Sequence, residues 1–248
     1  MPDITGILIL FFAGALAAFL NVNAGGGSTL TLPALIFLGL DPTMSNGTNR
    51  LGILVQNAAA VYSFKQEKFY ELKNSLILSA LTLPGAIAGA LLAVKLEDKV
   101  FQNILAVIMI FIVITMLIPK KKTKQDNNDI KLDWKTIISL LAVGFYGGFI
   151  QVGVGFLLMA TFQNLMKLNL IKVNMHKVFV VFVYTIPAFL IFIITNNVDW
   201  YYGLILSAGT AFGAWWGVKL SIKKGEKLIK VVLIVAILIM ALKLLNIF

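Results

Sequence analysis

No cysteine occurs in the 248-residue chain, which removes disulfides, thiolate metal sites and thiol nucleophiles and leaves the redox compartment undetermined. Charge is also scarce and one-sided: 13% of residues are charged, with 21 basic against 11 acidic. Every Asp and Glu falls in a predicted loop or at a segment end, so no carboxylate lies within an apolar stretch. Proton pumps and carboxylate-based cation carriers usually place an acid there, and its absence favours a negatively charged ligand over a cationic one. There is one histidine, His176, and one arginine, Arg50, among 20 lysines. No basic residue precedes the apolar run at 7–20, and glycines follow where a small-residue cleavage site would stand, so this segment is read as retained rather than as a signal peptide.

Hydrophobic residues make up 59% of the chain, a composition foreign to soluble domains. Apolar runs fall at roughly 6–22, 28–40, 46–64, 74–94 and 100–119, and again at roughly 136–152, 156–168, 178–194, 203–222 and 229–247. Crossing about 30 Å of hydrocarbon takes about 20 helical residues, so the second run of each series is too short and reads as a half-helix. The only long polar stretch, around KKKTKQDNND, separates the series. The predicted organisation is a first membrane repeat over 1–119, a cytoplasmic linker over 120–135 and a second membrane repeat over 136–248.

At an offset of 130, Gly14, Phe19, Val22, Gly25, Thr31, Leu35, Leu38 and Leu40 face Gly144, Phe149, Val152, Gly155, Thr161, Leu165, Leu168 and Leu170. Further on the offset becomes 128, pairing Gly85 with Gly213 and Gly89 with Gly217. Cytoplasmic loops collect lysine and arginine. Placing the linker inside puts 65–73, 120–135, 167–177 and 219–230 in the cytoplasm with 17 of the 21 basic residues. The first half then starts outside and the second inside, so the repeats are inverted and both termini lie outside. The expected fold is an all-α polytopic membrane protein of two inverted-topology repeats, each a Gly-broken helical hairpin followed by three transmembrane helices. Re-entrant and fully crossing hairpins fit equally. Trp134, Trp200, Tyr201 and Tyr202 fall at the predicted interfaces. Lysines confined to short loops argue against a nucleic-acid partner.

The first hairpin turn runs from Asn21 through Gly25, Gly26 and Gly27 to Ser28 and Thr29. Consecutive glycines release the backbone, Ser28 or Thr29 is placed to cap the next helix, and a helix N-terminus at membrane depth suits an anion. The second turn, from Gln151 through Gly153 to Gly155, has no Ser or Thr at the cap and is expected to contribute less. Close helix packing is the competing reading of both glycine groups. Arg50 follows Ser45-Asn-Gly-Thr-Asn at the start of an apolar run. Its guanidinium suits two oxygens of an oxyanion, although an interfacial arginine that snorkels or pairs with Asp41 is an alternative. Its approximate counterparts are His176 and Lys177, and His176 is a candidate proton site, although a lone loop histidine is more often incidental. Gln56 and Asn57 serve either a ligand or helix-to-helix hydrogen bonds. Pro84 and Pro187 read as kinks.

The segment NAGGGSTLTLPALIFLGLDPTMSNGTNR, its weaker repeat at 144–177 and the overall length resemble the TauE/SafE family of small membrane permeases, the sulfite exporters. The resemblance covers nearly the whole chain. It implies a plasma (inner) membrane carrier, by expectation an exporter, for small sulfur-containing anions such as sulfite, a sulfonate or sulfoacetate. The second repeat lacks the Gly-Gly-Ser and the proline represented by Ser28 and Pro33 in the first, which weakens the case for two equivalent hairpin sites. The resulting expectation is a secondary transporter working by alternating access. Its substrate contacts are Asn21, Gly25, Gly26, Gly27, Ser28, Thr29, Asn49, Arg50, Gln56, Gln151 and Lys177. No catalytic residue, metal or cofactor is assigned, and H+ and Na+ both stand as coupling ions. An anion channel with the same site is the alternative, and an intramembrane serine hydrolase using Ser28 and His176 is the remote one, because Gly-Gly-Ser-Thr-Leu is not the Gly-x-Ser-x-Gly elbow.

Overall fold

Glycine and proline punctuation divides the chain into helices close to the predicted runs. The computed structural model describes residues 4–117 and 132–221. Most of the linker at 120–135, the last run at 229–247 and both termini lie outside the described residues. Within them the chain is helical without a strand: α1 (Ile4–Ala24), α2 (Ser28–Phe37), α3 (Pro42–Gln66), α4 (Leu72–Ala93), α5 (Asp98–Leu117), α6 (Trp134–Phe149), α7 (Val154–Ala160), a π-helical turn (Thr161–Leu165), α8 (Leu170–Ile194) and α9 (Trp200–Ser221). By length and composition, α4 and α8 are apolar enough to cross a membrane. Gly25, at φ +91°, breaks α1 from α2, and Gly39, at φ +94°, ends α2. Both conformations favour a residue without a Cβ.

Two helices begin earlier than hydropathy indicates. Pro42 opens α3, which carries Ser45 to Arg50 inside the helix and buries them. Asn169 caps α8 by accepting from the Lys172 amide at 2.9 Å, so His176 and Lys177 are buried helical residues rather than part of a loop at 167–177. In both cases the polar first turns depress hydropathy while cap and proline still start the helix.

Packing runs crosswise between the two halves: α1 lies on α9, α4 on α6, and α3 and α8 against each other and against α9 and α4. Small residues permit the close approaches. A Cβ on Gly89 would fall 2.7 Å from the Phe149 nitrogen, one on Gly148 2.6 Å from the Ala86 carbonyl carbon, and one on Gly213 2.6 Å from that of Ala15. Gly85 lies over the Leu141 carbonyl of α6 and Gly209 over the Phe11 carbonyl of α1. Gly85 and Gly89 thus lie on carbonyls of α6, and Gly209 and Gly213 on carbonyls of α1.

The long central helix α3 also sorts the loops. At its start, Asp98 accepts from the Thr43 amide at 3.0 Å and hydroxyl at 2.8 Å, and Thr48 accepts from the Asp199 amide at 2.8 Å. Beyond its other end, some 36 Å away at 1.5 Å per residue, Glu71 pairs with Lys172 at 2.8 Å.

Candidate functional site

The two hairpin turns meet at their glycines. A Cβ on Gly25 would lie 2.6 Å from the carbonyl carbon of Gly155, and one on Gly155 2.5 Å from the Cα of Gly25. The second turn is therefore as tightly placed as the first. Gln151 at φ 64° and Gly153 at φ 71° turn the chain between α6 and α7.

Ser28 does not cap α2. Gly27 holds the N-cap position with no side-chain hydrogen bond, and the Thr29 hydroxyl donates back to the Gly26 carbonyl. Thr31, one turn on, donates to Asn49 Oδ1 of α3 at 2.6 Å. This bond ties the hairpin to the helix that carries Arg50.

Arg50 is wholly buried. Its Nη1 donates to the Gly147 carbonyl at 3.2 Å and reaches Gln151 Oε1 at 3.5 Å. Its Nη2 donates to the Gly148 carbonyl and lies 3.5 Å from Asn46 Oδ1 and from the Phe149 carbonyl. The guanidinium carbon stands 4.6 Å over the Phe192 ring. Tyr184 donates to Gln151 Oε1 at 3.3 Å, and Asn46 Nδ2 donates to the Phe149 carbonyl at 2.8 Å. Arg50 thus sits on the last carbonyls of α6, where the helix dipole is negative. It neither snorkels nor pairs with Asp41. Among the described residues no carboxylate lies within ion-pairing distance, and its Nε has no hydrogen-bond partner.

Lys177 does for α1 what Arg50 does for α6. Its Nζ donates to the Asn21 carbonyl at 2.9 Å, the Val22 carbonyl at 3.1 Å and Asn174 Oδ1 at 2.8 Å. Each cation comes from the third helix of one half and holds the end of the broken helix of the other. Each also has an asparagine one turn before it, a spacing legible in the sequence.

Of the remaining candidates, Gln56 is buried with Nε2 unpartnered, whereas Asn57 Nδ2 donates to Ile53 of its own helix. His176 stands apart from the hairpins. It bonds Ser75, not Ser28, so the pairing needed by the hydrolase alternative is not made. Asn46, Tyr184 and Thr31 were missed. Tyr184 lies inside an apolar run that carries no signal, and Thr31 looks like ordinary helix.

Buried cations at the ends of broken apolar helices define a polytopic helical membrane protein with a charged centre. The sequence matches the family described as "Sulfite exporter TauE/SafE" over residues 10–244. It is 30% identical over 240 residues to a "Probable membrane transporter protein ORF9" of Sinorhizobium sp, covering 96% of this chain and 92% of that one. It is also 31% identical over 240 residues to a "Probable membrane transporter protein YfcA" of Escherichia coli K12, covering 96% and 88%. A "Probable membrane transporter protein YunE" of Bacillus subtilis is 24% identical over 259 residues, covering 94% and 95%. No solved structure matches. The chain belongs to the TauE/SafE sulfite exporter family, a family of membrane transporters and not of enzymes.

Proposed function

We propose that the protein is a secondary transporter of the plasma membrane that exports a small sulfur-containing oxyanion, of the sulfite, sulfonate or sulfoacetate class, by alternating access between two inverted repeats. The observation that carries this reading is Arg50, a buried guanidinium with an unpartnered Nε and no carboxylate in reach among the described residues. A charge at bilayer depth costs somewhere from about 2.5 to above 10 kcal/mol. Helix-end dipoles return at most about 2 kcal/mol, and hydrogen bonds to a charged group about 1.5–3 kcal/mol each. The α6 carbonyls stabilise the guanidinium but, being uncharged, do not neutralise it. An oxyanion supplies the missing charge, and Asn49 Nδ2 and Gln56 Nε2, both buried and unpartnered, are further donors on the same helix.

The remaining candidates enter the proposed site by position. Gly25, Gly26, Gly27, Ser28 and Thr29 form the turn that meets Gly155, Gln151 orients Arg50, and Lys177 with Asn21 makes the corresponding cation station in the other half. The family description supports sulfur and export. Physics supports the direction too, since an interior-negative potential drives an anion outwards by about 2.3 kcal/mol per 100 mV. The crosswise helix packing supports the inverted repeat.

Transport is tested by counterflow in proteoliposomes with labelled sulfite, a sulfonate, sulfate and a carboxylate. Exchange of the sulfur oxyanions is expected, and a protein that exchanges none of them is not this transporter. For orientation, Glu67→Cys and Thr195→Cys report side directly, because the chain has no native cysteine. An impermeant thiol reagent on intact cells is expected to label Thr195→Cys and spare Glu67→Cys. Equal labelling would overturn the proposed topology.

A further inference from the structure

We propose that His176 is a proton-binding site whose occupancy is linked to the movement of α8 against α4, which makes the coupling ion a proton. The proposal rests on the transport reading above. His176 is the only histidine of the chain and is wholly buried. Its Nδ1 is 2.8 Å from Ser75 Oγ on α4. Its Nε2 has no hydrogen-bond partner and points at Glu71 Oε2 from 3.6 Å, too far for a hydrogen bond and close enough to become one when the ring gains a proton.

The charged groups around the ring are few. Glu71, at the start of α4, is bonded by Lys172 of α8 at 2.8 Å and by Asn74 Nδ2 at 2.9 Å. Partial burial works against the Glu71 carboxylate, but the hydrogen bonds from Lys172 and Asn74 and the charge of Lys172 hold its pKa below the usual value. The π-helical turn contributes Phe162, whose ring centre is 6.3 Å away. From the end of α3, Lys65 is directed over Tyr70. Lys177, next to His176, is directed to α1.

The set selects a proton. Glu71 repels an anion, and Lys172 already occupies the carboxylate that a metal ion would need. Glu71 and Lys172 are part exposed, with side chains 29% and 23% accessible, so protons have a route to Nε2. Ser75 also lines a shallow cleft with Phe64, Phe69, Tyr70 and Met175. On uptake, the proton adds to Nε2 and Nδ1–H donates to Ser75 Oγ. The ring then forms an ion pair with Glu71. Glu71 and Ser75 belong to the first half and His176 to the second, so sliding of α8 along α4 separates ring from carboxylate and changes proton affinity. Two states that differ in proton affinity are shifted by pH. The same α8 segment carries Lys177, which holds the end of α1, so the proton site and the anion site ride on one element.

The test uses methanesulfonate, which stays fully ionised where sulfite changes its own protonation. Protein in liposomes is given a pH gradient of one unit with the potential clamped by potassium and valinomycin. Wild type is expected to accumulate the anion, up to about tenfold per coupled proton. His176→Gln is expected to lose the accumulation while its counterflow falls less than about threefold. Wild-type exchange without a response to the gradient, or equal accumulation by His176→Gln, would overturn the proposal. No exchange at all by wild type would instead overturn the transport reading.

The single histidine gives a second measurement that does not need transport. In detergent, the nitrogen signal of the labelled ring is followed against pH in wild type, Glu71→Gln and Lys172→Gln. The two substitutions are expected to move the titration in opposite senses, and saturating methanesulfonate to move it in wild type. A titration indifferent to both charges and to the anion would overturn the proposal even if His176→Gln fails to fold.

Discussion

Replacing Arg50 with glutamine is expected to weaken oxyanion binding about a hundredfold, equivalent to ~2.7 kcal/mol, measured as affinity in detergent. Arg50 has two roles, and the experiment must separate them. It holds the carbonyls of Gly147 and Gly148 at the end of α6, and in the proposed site it supplies the charge that the anion meets. Loss of the first role lowers thermal stability whether or not an anion is present. Loss of the second removes the stabilisation that a saturating anion adds, which follows from binding to the native state alone. Arg50→Lys distinguishes them. Lys177 already shows that an ammonium can hold two helix-end carbonyls in this protein, so Arg50→Lys is expected to retain the fold. It lacks the planar fork that grips two oxygens, and its affinity is expected to fall about tenfold, or ~1.4 kcal/mol. Wild-type affinity in Arg50→Gln would make the arginine a helix cap only. The anion would then belong to Lys177, to Asn49 and Gln56, or to the hairpin amides.

That dual role marks how far the residues could be read without coordinates. Apart from the early start of α3, the helices of the first half follow their hydropathy because lipid demands long apolar stretches and glycines end them abruptly. The broken hairpins were legible for the same reason, since Gly25 must adopt φ +91°. Arg50 was legible as an anomaly, the only arginine among 20 lysines. Its depth was not. The polar Ser45 to Asn49 stretch is buried helix, and Thr31, the Asp199 amide and the Phe149 carbonyl, partners from other elements, bond Asn49 Oδ1, Thr48 and Asn46. Such partners belong to tertiary packing and leave no local pattern. His176 lies in helix rather than in a loop, and its contacts are equally absent from the local sequence. Its neighbours Glu71 and Ser75 lie 105 and 101 residues away. The second hairpin lacks Ser and Thr, and its contact with the first is made through the absent side chain of Gly155.

Gly25→Ala and Gly155→Ala are expected to be comparably damaging, each lowering the transport rate at least about a hundredfold when equal amounts of folded protein are compared. A methyl group at either position enters the same space between the turns, at 2.6 Å from the Gly155 carbonyl carbon in one case and 2.5 Å from the Gly25 Cα in the other. Overpacking of this kind costs about 1–3 kcal/mol. Gly25 carries an added penalty because its φ of +91° disfavours any side chain, by roughly 1–2 kcal/mol. Gly155 lies in helical backbone and escapes that penalty. Gly25→Ala should therefore melt lower than Gly155→Ala while transport is lost in both. The double variant separates a shared contact from two independent injuries. Once one methyl has pushed the turns apart, the second finds space already opened, so the combined loss of stability should be smaller than the sum of the single losses. Residues in contact show such coupling at about 0.5–3 kcal/mol, whereas distant ones add. Strict additivity would mean that the turns do not meet in the folded protein, and the proposed site at their junction would have to be abandoned.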